Sequence, residues 1–130
     1  MQTKLAYSLY VYTQMYEVQK SGGALVRHLQ FEFPEDKSLN LDNVKENLER
    51  SYMLGDSLLV APDFTEKQGK EYSVYFPKGT WVNVNKYSDI RVSTGQSFND
   101  VATNPSYVNA YIRPGKIIPF QQNQALYKTP

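Results

Sequence analysis

Three carboxylates lie close together in the first third of this 130-residue sequence, namely Glu32, Glu35 and Asp36. Paired carboxyl groups can work as a nucleophile and an acid/base. Glu35 and Asp36 directly follow Pro34, so we interpret them as solvated turn residues. Glu32 has a stronger case because it lies within a predicted strand. The spacing alone does not establish a catalytic pair.

Other reactive side chains are scarce. The sequence contains one histidine, His28, and no cysteine. Thiolate chemistry and a disulfide framework are therefore excluded, and a zinc cluster cannot be built from a single histidine. We predict no catalytic, metal-binding or cofactor-binding residue. The cellular compartment is undetermined, because secreted proteins can also lack cysteine.

The charge balance limits the possible partners. Fourteen Lys and Arg residues face thirteen Asp and Glu residues, which leaves a formal net charge of +1. Nucleic-acid binding and adhesion to an anionic membrane both need a strong positive bias, so we predict neither. No apolar stretch approaches the roughly 20 residues that cross a bilayer. Small neutral partners remain open.

The elements that must position any site begin with a helix. Leu5, Leu9, Tyr12 and Tyr16 recur at helical spacing between residues 3 and 20, and the pair Gly22-Gly23 predicts the helix end. Residues 24–33 then alternate in the manner of a strand that Pro34 ends. Arg27 falls on the same predicted side as Leu25, Leu29 and Phe31. A buried Arg27 would need an ion-pair partner, whereas a surface Arg27 would not.

The second half of the chain is predicted to be all-β. This half is preceded by a short helix with Asp42 as its candidate N-cap, and it contains a predicted polar loop over residues 93–104. Short apolar runs separated by turn signals predict five strands, in the sequences SLLVAP, EYSVYFP, TWVNV, SYVNAYI and KIIPF. We predict an α+β fold with a boundary near residues 53–55, which divides the chain into residues 1–53 and a β-sandwich-like unit over 54–130.

The predicted first half is incomplete. A strand between two helices has two rows of backbone N–H and C=O groups, and both rows need partners. Either this strand joins the β half, or the chain is the end of something larger. An isolated chain of the second kind is expected to be poorly stable or to self-associate.

Five segments, taken in order, resemble glycoside hydrolase family 31, the α-glucosidase family. YMLGDSLLVAP is close to that family's FMLGDSLLVAP. The other four are similar to the family's LPYLYTLFYEAHTTG-like helix, PVMRPLFFEFPED-like strand, VxVYLPAGTWYD and VRGGSIIPLQ, and they are here LYVYTQMYEVQKSG, GALVRHLQFEFPED, EYSVYFPKGTWVNV and AYIRPGKIIPFQ. The resemblance runs from about residue 4 to residue 121. Leu9, His28 and Pro114 depart from its pattern.

The resemblance implies an architecture and a role. Residues 1–53 would be the last helices and eighth strand of a (β/α)8 barrel, and residues 54–130 the proximal C-terminal β-sandwich. Gly55 would be the joint between the two. The parent enzyme would hydrolyse terminal α-linked glucose by the retaining route, with an Asp pair that lies upstream of these motifs. The chain alone is therefore expected to be inactive and structural.

The resemblance also assigns residues. Arg27 is expected to form a scaffold ion pair beneath the sugar site. Gly55, Asp56 and Arg113 are further structural candidates. Trp81 could stack on a sugar but is expected in the core.

Two alternatives to a structural fragment remain. One is an independent carbohydrate-binding or interaction module derived from the family. The other is a subunit that pairs with a separate chain supplying the missing barrel strands. For every alternative, the expected small-molecule partner is an α-glucoside or oligosaccharide.

Overall fold

The computed structural model describes residues 7–64 and 70–120. Its first element is helix α1, Ser8–Ser21. Gly22 ends the helix with φ 81°, and its N–H donates to the Val18 carbonyl. A positive φ is accessible to glycine without the penalty that a Cβ brings, which explains the stop. The predicted glycine stop is confirmed, whereas the predicted start near residue 3 lies outside the described residues.

The strand predicted over residues 24–33 is confirmed only at Val26 and Arg27 and is wrong elsewhere. Strand β1 is only Val26–Arg27, and a one-turn helix, α2, follows at Leu29–Glu32. The His28 side chain accepts a hydrogen bond from the Gln30 N–H and so caps this turn. Helical spacing then directs Leu29 and Phe33 toward the core and leaves Phe31 85% exposed. The apparent alternation was a coincidence of composition.

A polar segment connects α2 to the sheet. It contains a 3₁₀ helix, Lys37–Asn40, and helix α3, Asp42–Leu48. The short helix near Asp42 is therefore confirmed. The Leu41 carbonyl accepts the first helical hydrogen bonds, from Val44 and Lys45. Leu41 thus holds the capping position that was predicted for Asp42.

In the described part of the chain, eight strands form two antiparallel sheets. After β1, the strands are β2 Tyr52–Leu54, β3 Leu58–Ala61, β4 Glu71–Phe76, β5 Gly79–Asn83, β6 Ile90–Ser93, β7 Gln96–Ala102 and β8 Asn109–Ile112. The order of the six-stranded sheet is β1-β2-β3-β8-β5-β6, and β4 pairs with β7 separately. The register places Val26 opposite Leu54 and Leu59 opposite Tyr111.

The strand predictions were partly wrong. The predicted polar loop over residues 93–104 contains the whole of β7, which follows a turn at Gly95 with φ 95°. Its apolar alternation is weak because β7 lies in a two-stranded sheet and pairs across a bulge between Tyr72 and Val74. The KIIPF segment, residues 116–120, is not a strand. Pro119 cannot donate to a ladder, and Ile118 is buried without one.

The six-stranded sheet is covered on both faces. On one face, Trp81 and Tyr111 pack with residues of β4 and β7 and with Leu29, Leu39 and Leu48 from the connecting helices. This arrangement gives the molecule its sandwich-like character. On the other face, Tyr10 of α1 packs with Leu58, Val84, Ala110 and Ile118. The fold is a mixture of helix and antiparallel sheet, as predicted at that level.

The first predicted strand joins the β half. Because β1 pairs with β2, the first of the two alternatives, in which this strand joins the β half, is the one observed. The six-stranded sheet is continuous across residues 53–55, so the division of the chain at that point stays a prediction. Within the described residues, no helix is long and apolar enough to span a membrane.

Candidate functional site

A tight turn between β2 and β3 contains two of the predicted structural residues, Gly55 and Asp56. Gly55 has φ 66°. A Cβ at this position would lie 2.5 Å from the Tyr10 hydroxyl oxygen and 2.6 Å from Cγ of Gln14. Glycine is therefore required here both for the backbone conformation and for the close approach of α1.

Helix α1 is hydrogen-bonded to this turn through Tyr10 and Gln14. The Tyr10 hydroxyl donates to the Leu54 carbonyl at 2.7 Å and accepts from the Ser57 N–H at 3.0 Å. The Gln14 Oε1 accepts from the Asp56 N–H at 3.3 Å. Burial raises the pKa of Tyr10, and the hydrogen bond from Ser57 partly offsets that effect. These contacts hold the turn at a fixed position against the helix.

The Asp56 side chain is bound on both carboxylate oxygens. The Lys116 ammonium lies 2.9 Å from Oδ2, and the Ser57 hydroxyl donates to Oδ1. Burial acts to raise the pKa of Asp56, but the hydrogen bonds from Lys116 and Ser57 outweigh it, and the pKa is lowered from its ordinary value. Asp56 therefore links the turn to the segment that follows β8.

Glu32 is the centre of an ion network that includes Arg27 and Arg113. Its Oε2 lies 3.2 Å from Arg27 Nη1, and its Oε1 lies 2.7 Å from Arg113 Nη1. Arg113 Nη1 also donates to the Asp56 carbonyl at 3.1 Å. The Glu32 side chain is only 15% exposed. The network thus ties together β1, α2, the β2–β3 turn and the end of β8.

Both arginines have additional contacts. Arg27 Nε donates to the Ala24 carbonyl at 2.7 Å, and the Arg113 guanidinium lies 4.5 Å from the ring centroid of Phe33. Planar guanidinium groups are suited to such combined pairing and stacking. Of the two options for Arg27, the geometry corresponds to the ion pair. Sequence reasoning did not single out Glu32 as the residue that Arg27 and Arg113 share.

Trp81 is a core residue. It is 0% exposed, and its Nε1 donates to the Pro77 carbonyl at 2.8 Å. The rings of Phe33 and Phe76 lie with centroids 6.1 Å away. A stacking platform for a ligand must present a face to solvent, so Trp81 cannot serve as one in this structure.

Of the three carboxylates that opened the sequence analysis, Glu35 is exposed, whereas Asp36 and Glu32 have structural contacts. Asp36 accepts from the Ser38 N–H at 3.1 Å and from the Tyr75 hydroxyl at 2.7 Å. Burial raises the pKa of Tyr75. Both oxygens of Glu32 are occupied by guanidinium groups. In residues 7–64 and 70–120, no group of three or more acidic or histidine side chains is placed to hold a metal ion.

Hydrogen bonds and ion pairs therefore hold several elements of the fold together at one place. A helix, a short edge strand, a glycine turn and the chain after β8 meet at one polar cluster beside the sheet. The sequence profile of the glycosyl hydrolase family 31 C-terminal domain matches residues 22–118, which include every one of these elements except α1.

The chain belongs to glycoside hydrolase family 31. Its similarity extends to proteins from distant organisms. It is 29% identical over 123 residues to the human probable maltase-glucoamylase 2, which covers 94% of this chain and 4% of that protein. It is 30% identical to the lysosomal alpha-glucosidase of Mus musculus, with 90% of this chain and 13% of that protein covered. The Sporosarcina globispora 1,6-alpha-glucosyltransferase is 32% identical, with 93% and 9% covered.

Solved structures agree with the family assignment. The cycloalternan-forming enzyme of Listeria monocytogenes, solved with a pentasaccharide substrate, superposes with a TM-score of 0.73 and 28% identity. The match covers 93% of this chain and 10% of that enzyme. A family 31 α-xylosidase from Xanthomonas citri shares the fold with a TM-score of 0.74 at 23% identity. The chain thus spans a small part of the length of the family members it matches.

Proposed function

We propose that this chain is the C-terminal structural unit of an α-glucosidase-type family 31 hydrolase and that catalysis resides in polypeptide upstream of it. The observation that carries the proposal is an apolar surface on α1 and β1 that is exposed to solvent. The names of the relatives, which include a maltase-glucoamylase and an alpha-glucosidase, support the substrate class. The parent enzyme would cleave terminal α-linked glucose with retention of configuration.

The outer face of α1 consists of Leu9, Tyr12, Met15 and Tyr16, each about half exposed or more. Tyr12 is 75% exposed, although its neighbour Tyr10 is almost fully buried against the sheet. A helix that is apolar on both sides normally packs on both sides. The outer face of α1 is therefore a surface for a further layer.

A second apolar surface begins just beyond the end of α1. Val26 and Phe31 are exposed, and they line an open groove of about 730 Å³ with residues 22–24, Arg27 and His28. Folded monomers seldom expose neighbouring large apolar side chains of this kind. The groove and the outer face of α1 together form what we call the docking face.

Strand β1 offers a means of attachment. It is terminal in the six-stranded sheet, so in the described part of the chain its second edge has no strand partner. Open edges pair readily with another strand. We infer that the docking face contacts the catalytic unit of the parent enzyme, and that the described part of residues 1–53 corresponds to the end of its (β/α)8 barrel. The Glu32 network would then fix the barrel end relative to the sandwich.

A turnover assay tests the absence of catalysis. The purified 130-residue chain should release no nitrophenol from p-nitrophenyl α-glucoside above the buffer rate, since both oxygens of Glu32 are occupied by arginines. Turnover that follows the chain through purification would contradict the proposal, whether or not it persists in a Glu32→Gln variant.

Sedimentation velocity tests the docking face. The isolated chain should self-associate as its concentration rises, because exposed apolar surface has no other partner in solution. Tyr12→Asp together with Phe31→Asp should shift it toward a monomer. Val92→Asp is the matched control, since Val92 is exposed to a similar degree on edge strand β6. A chain that stays monomeric at high concentration, or that Val92→Asp affects equally, would rule the docking face out.

A further inference from the structure

A polar pocket lies on the sandwich, apart from the docking face. It has a volume of about 400 Å³ and is open on one side, between the β5–β6 hairpin and the loop that joins β7 to β8. Its buried residues Asn83 and Asn109 belong to the sheet face that packs against β4. Helix α1 covers the opposite face. The volume is within the range of roughly 300 to 1,000 Å³ that small-molecule sites occupy.

The floor of the pocket is built by a connected hydrogen-bond network. Asn83 Nδ2 donates to Asp89 Oδ2 at 3.2 Å and to Asn109 Oδ1 at 2.9 Å. The Tyr111 hydroxyl donates to the same Asp89 oxygen at 2.8 Å. Burial, together with the hydrogen bond to Asp89, raises the pKa of Tyr111. A satisfied network of this kind holds its side chains in one arrangement.

The wall is set by Arg91. Its Nε lies 2.8 Å from Asp89 Oδ1, and its Nη1 lies 2.6 Å from Asp100 Oδ1. Asp100 remains largely exposed, which leaves its other carboxylate oxygen available as an acceptor. Two acidic side chains therefore hold one guanidinium in place at the pocket.

The rim carries groups that are free to bind. Within the described part of the chain, the Lys86 ammonium and the hydroxyls of Ser88 and Tyr107 have no hydrogen-bond partner. The oxygen of the Asn104 amide accepts from the Ser106 N–H, so its amide nitrogen is still open as a donor. Tyr107 also brings a partly exposed aromatic ring to the lining.

The charges decide which class of ligand fits. Lys86 and Arg91 are balanced by Asp89 and Asp100, so the ionised side chains lining the pocket sum to zero. A phosphate or a metal cation would gain little from such a balance. A neutral polyhydroxyl compound needs the mixture of donors, acceptors and one aromatic ring that is present here. We propose that this pocket is a binding site for a neutral oligosaccharide.

The choice of maltotriose as the probe rests on the proposed function, because the relatives include a probable maltase-glucoamylase and an alpha-glucosidase. Maltotriose should bind the 130-residue chain saturably. Ligand-observed saturation-transfer NMR is suited to the measurement because it tolerates self-association of the chain. Binding and docking are measured in separate experiments, so failure of one is distinguishable from failure of the other.

Two variants locate the binding. Tyr107→Ala should weaken maltotriose affinity about tenfold, which corresponds to about 1.4 kcal/mol. Lys86→Gln should weaken the maltotriose affinity by a smaller factor. Because Lys86 is exposed, this substitution should not disturb folding, so a loss of affinity reports on binding. Tyr12→Ala, on the outer face of α1, is the matched control and should leave affinity unchanged.

Three results would overturn the proposal. The first is that neither maltotriose nor isomaltotriose binds the unmodified chain. The second is that Tyr12→Ala lowers affinity as much as Tyr107→Ala does. The third is that inorganic phosphate binds in the same pocket more tightly than the sugar, as judged by competition, since a balanced pocket is not expected to prefer an anion.

Discussion

The two faces of the six-stranded sheet are completed in different ways. On the sandwich face, Trp81 of the six-stranded sheet and Tyr75 and Phe76 of β4 are fully buried in one core, which also includes residues of β7 and of the connecting helices. On the other face, α1 covers the sheet with one side and exposes a second apolar side. The sandwich face is a finished core. The helix face exposes apolar side chains to solvent, and it is the face on which we propose that the catalytic unit of the parent enzyme packs.

The difference also concerns the type of interaction. The sandwich face is held by apolar packing, in which Phe76 contacts Trp81, Phe98 and Tyr111 edge-on or tilted. The helix face combines a smaller apolar cluster around Tyr10 with single polar contacts from Tyr10 and Gln14 to the β2–β3 turn. The apolar core contributes most of the stability, whereas the directional polar contacts set the position of α1 relative to the β2–β3 turn.

Removing the largest side chain from the sandwich face should have the greatest effect. Trp81→Ala is expected to lower the free energy of unfolding by about 3–5 kcal/mol, because it leaves a cavity and an unpaired Pro77 carbonyl. Urea denaturation followed by circular dichroism measures the change. Tyr12→Ala is the control and should change it by less than about 0.5 kcal/mol. Similar losses of unfolding free energy in the two variants would contradict the proposed difference between the two faces.

On the helix face, Gly55→Ala should destabilise by about 2–4 kcal/mol, since it combines a positive φ with overlap of Tyr10 and Gln14. Gly115 provides the matched control. It also has a positive φ, of 75°, but a Cβ there would meet nothing within 4 Å. Gly115→Ala should therefore cost only about 1 kcal/mol of unfolding free energy. Equal costs would mean that α1 does not press against the turn.

Glu32→Gln should lower the free energy of unfolding by about 1–2 kcal/mol, because two partly exposed arginines lose a shared carboxylate. Asp42→Asn is the control, since the Asp42–Lys45 pair is exposed and its loss should leave the unfolding temperature unchanged within error. Thermal unfolding of both variants compares them. If Glu32→Gln is as mild as Asp42→Asn, the network does not stabilise the junction.

The smallest expected effect concerns pH. The pKa of Asp56 is lowered in the folded protein, so its ionised form favours folding. That contribution is present above the ordinary Asp pKa of about 3.9 and is lost as the pH falls through the lower folded value. Asp56→Asn should therefore flatten the loss of stability below about pH 4. An unchanged acid profile in that variant would show that the Lys116 pair has no such role.

Part of this architecture could be predicted from the sequence. The glycine stop after α1, the core position of Trp81 and strands β3, β4, β5 and β8 follow from local spacing and turn residues. The family motifs identified the relationship that the profile match shows.

The remaining features are set by tertiary contacts. The run at residues 24–33 alternates like a strand, yet the His28 cap and the burial of Leu29 and Phe33 stabilise a helical turn. Strand β7 is paired across a bulge, which obscures its period. Glu32 and Arg113 are 81 residues apart in the chain. Neither their pairing nor the pocket beside Arg91 leaves a local signal, because each depends on how distant strands are brought together.

A chimeric enzyme gives the most direct test of the central claim, that the docking face completes a family 31 catalytic unit. This chain would replace the matching segment of the Sporosarcina globispora 1,6-alpha-glucosyltransferase, and transfer activity and thermal inactivation would be compared with those of the same chimera carrying Tyr12→Asp and Phe31→Asp. We predict that the two substitutions abolish activity or accelerate inactivation, whereas Val92→Asp does neither. A doubly substituted chimera as active and as stable as its parent chimera would contradict the account.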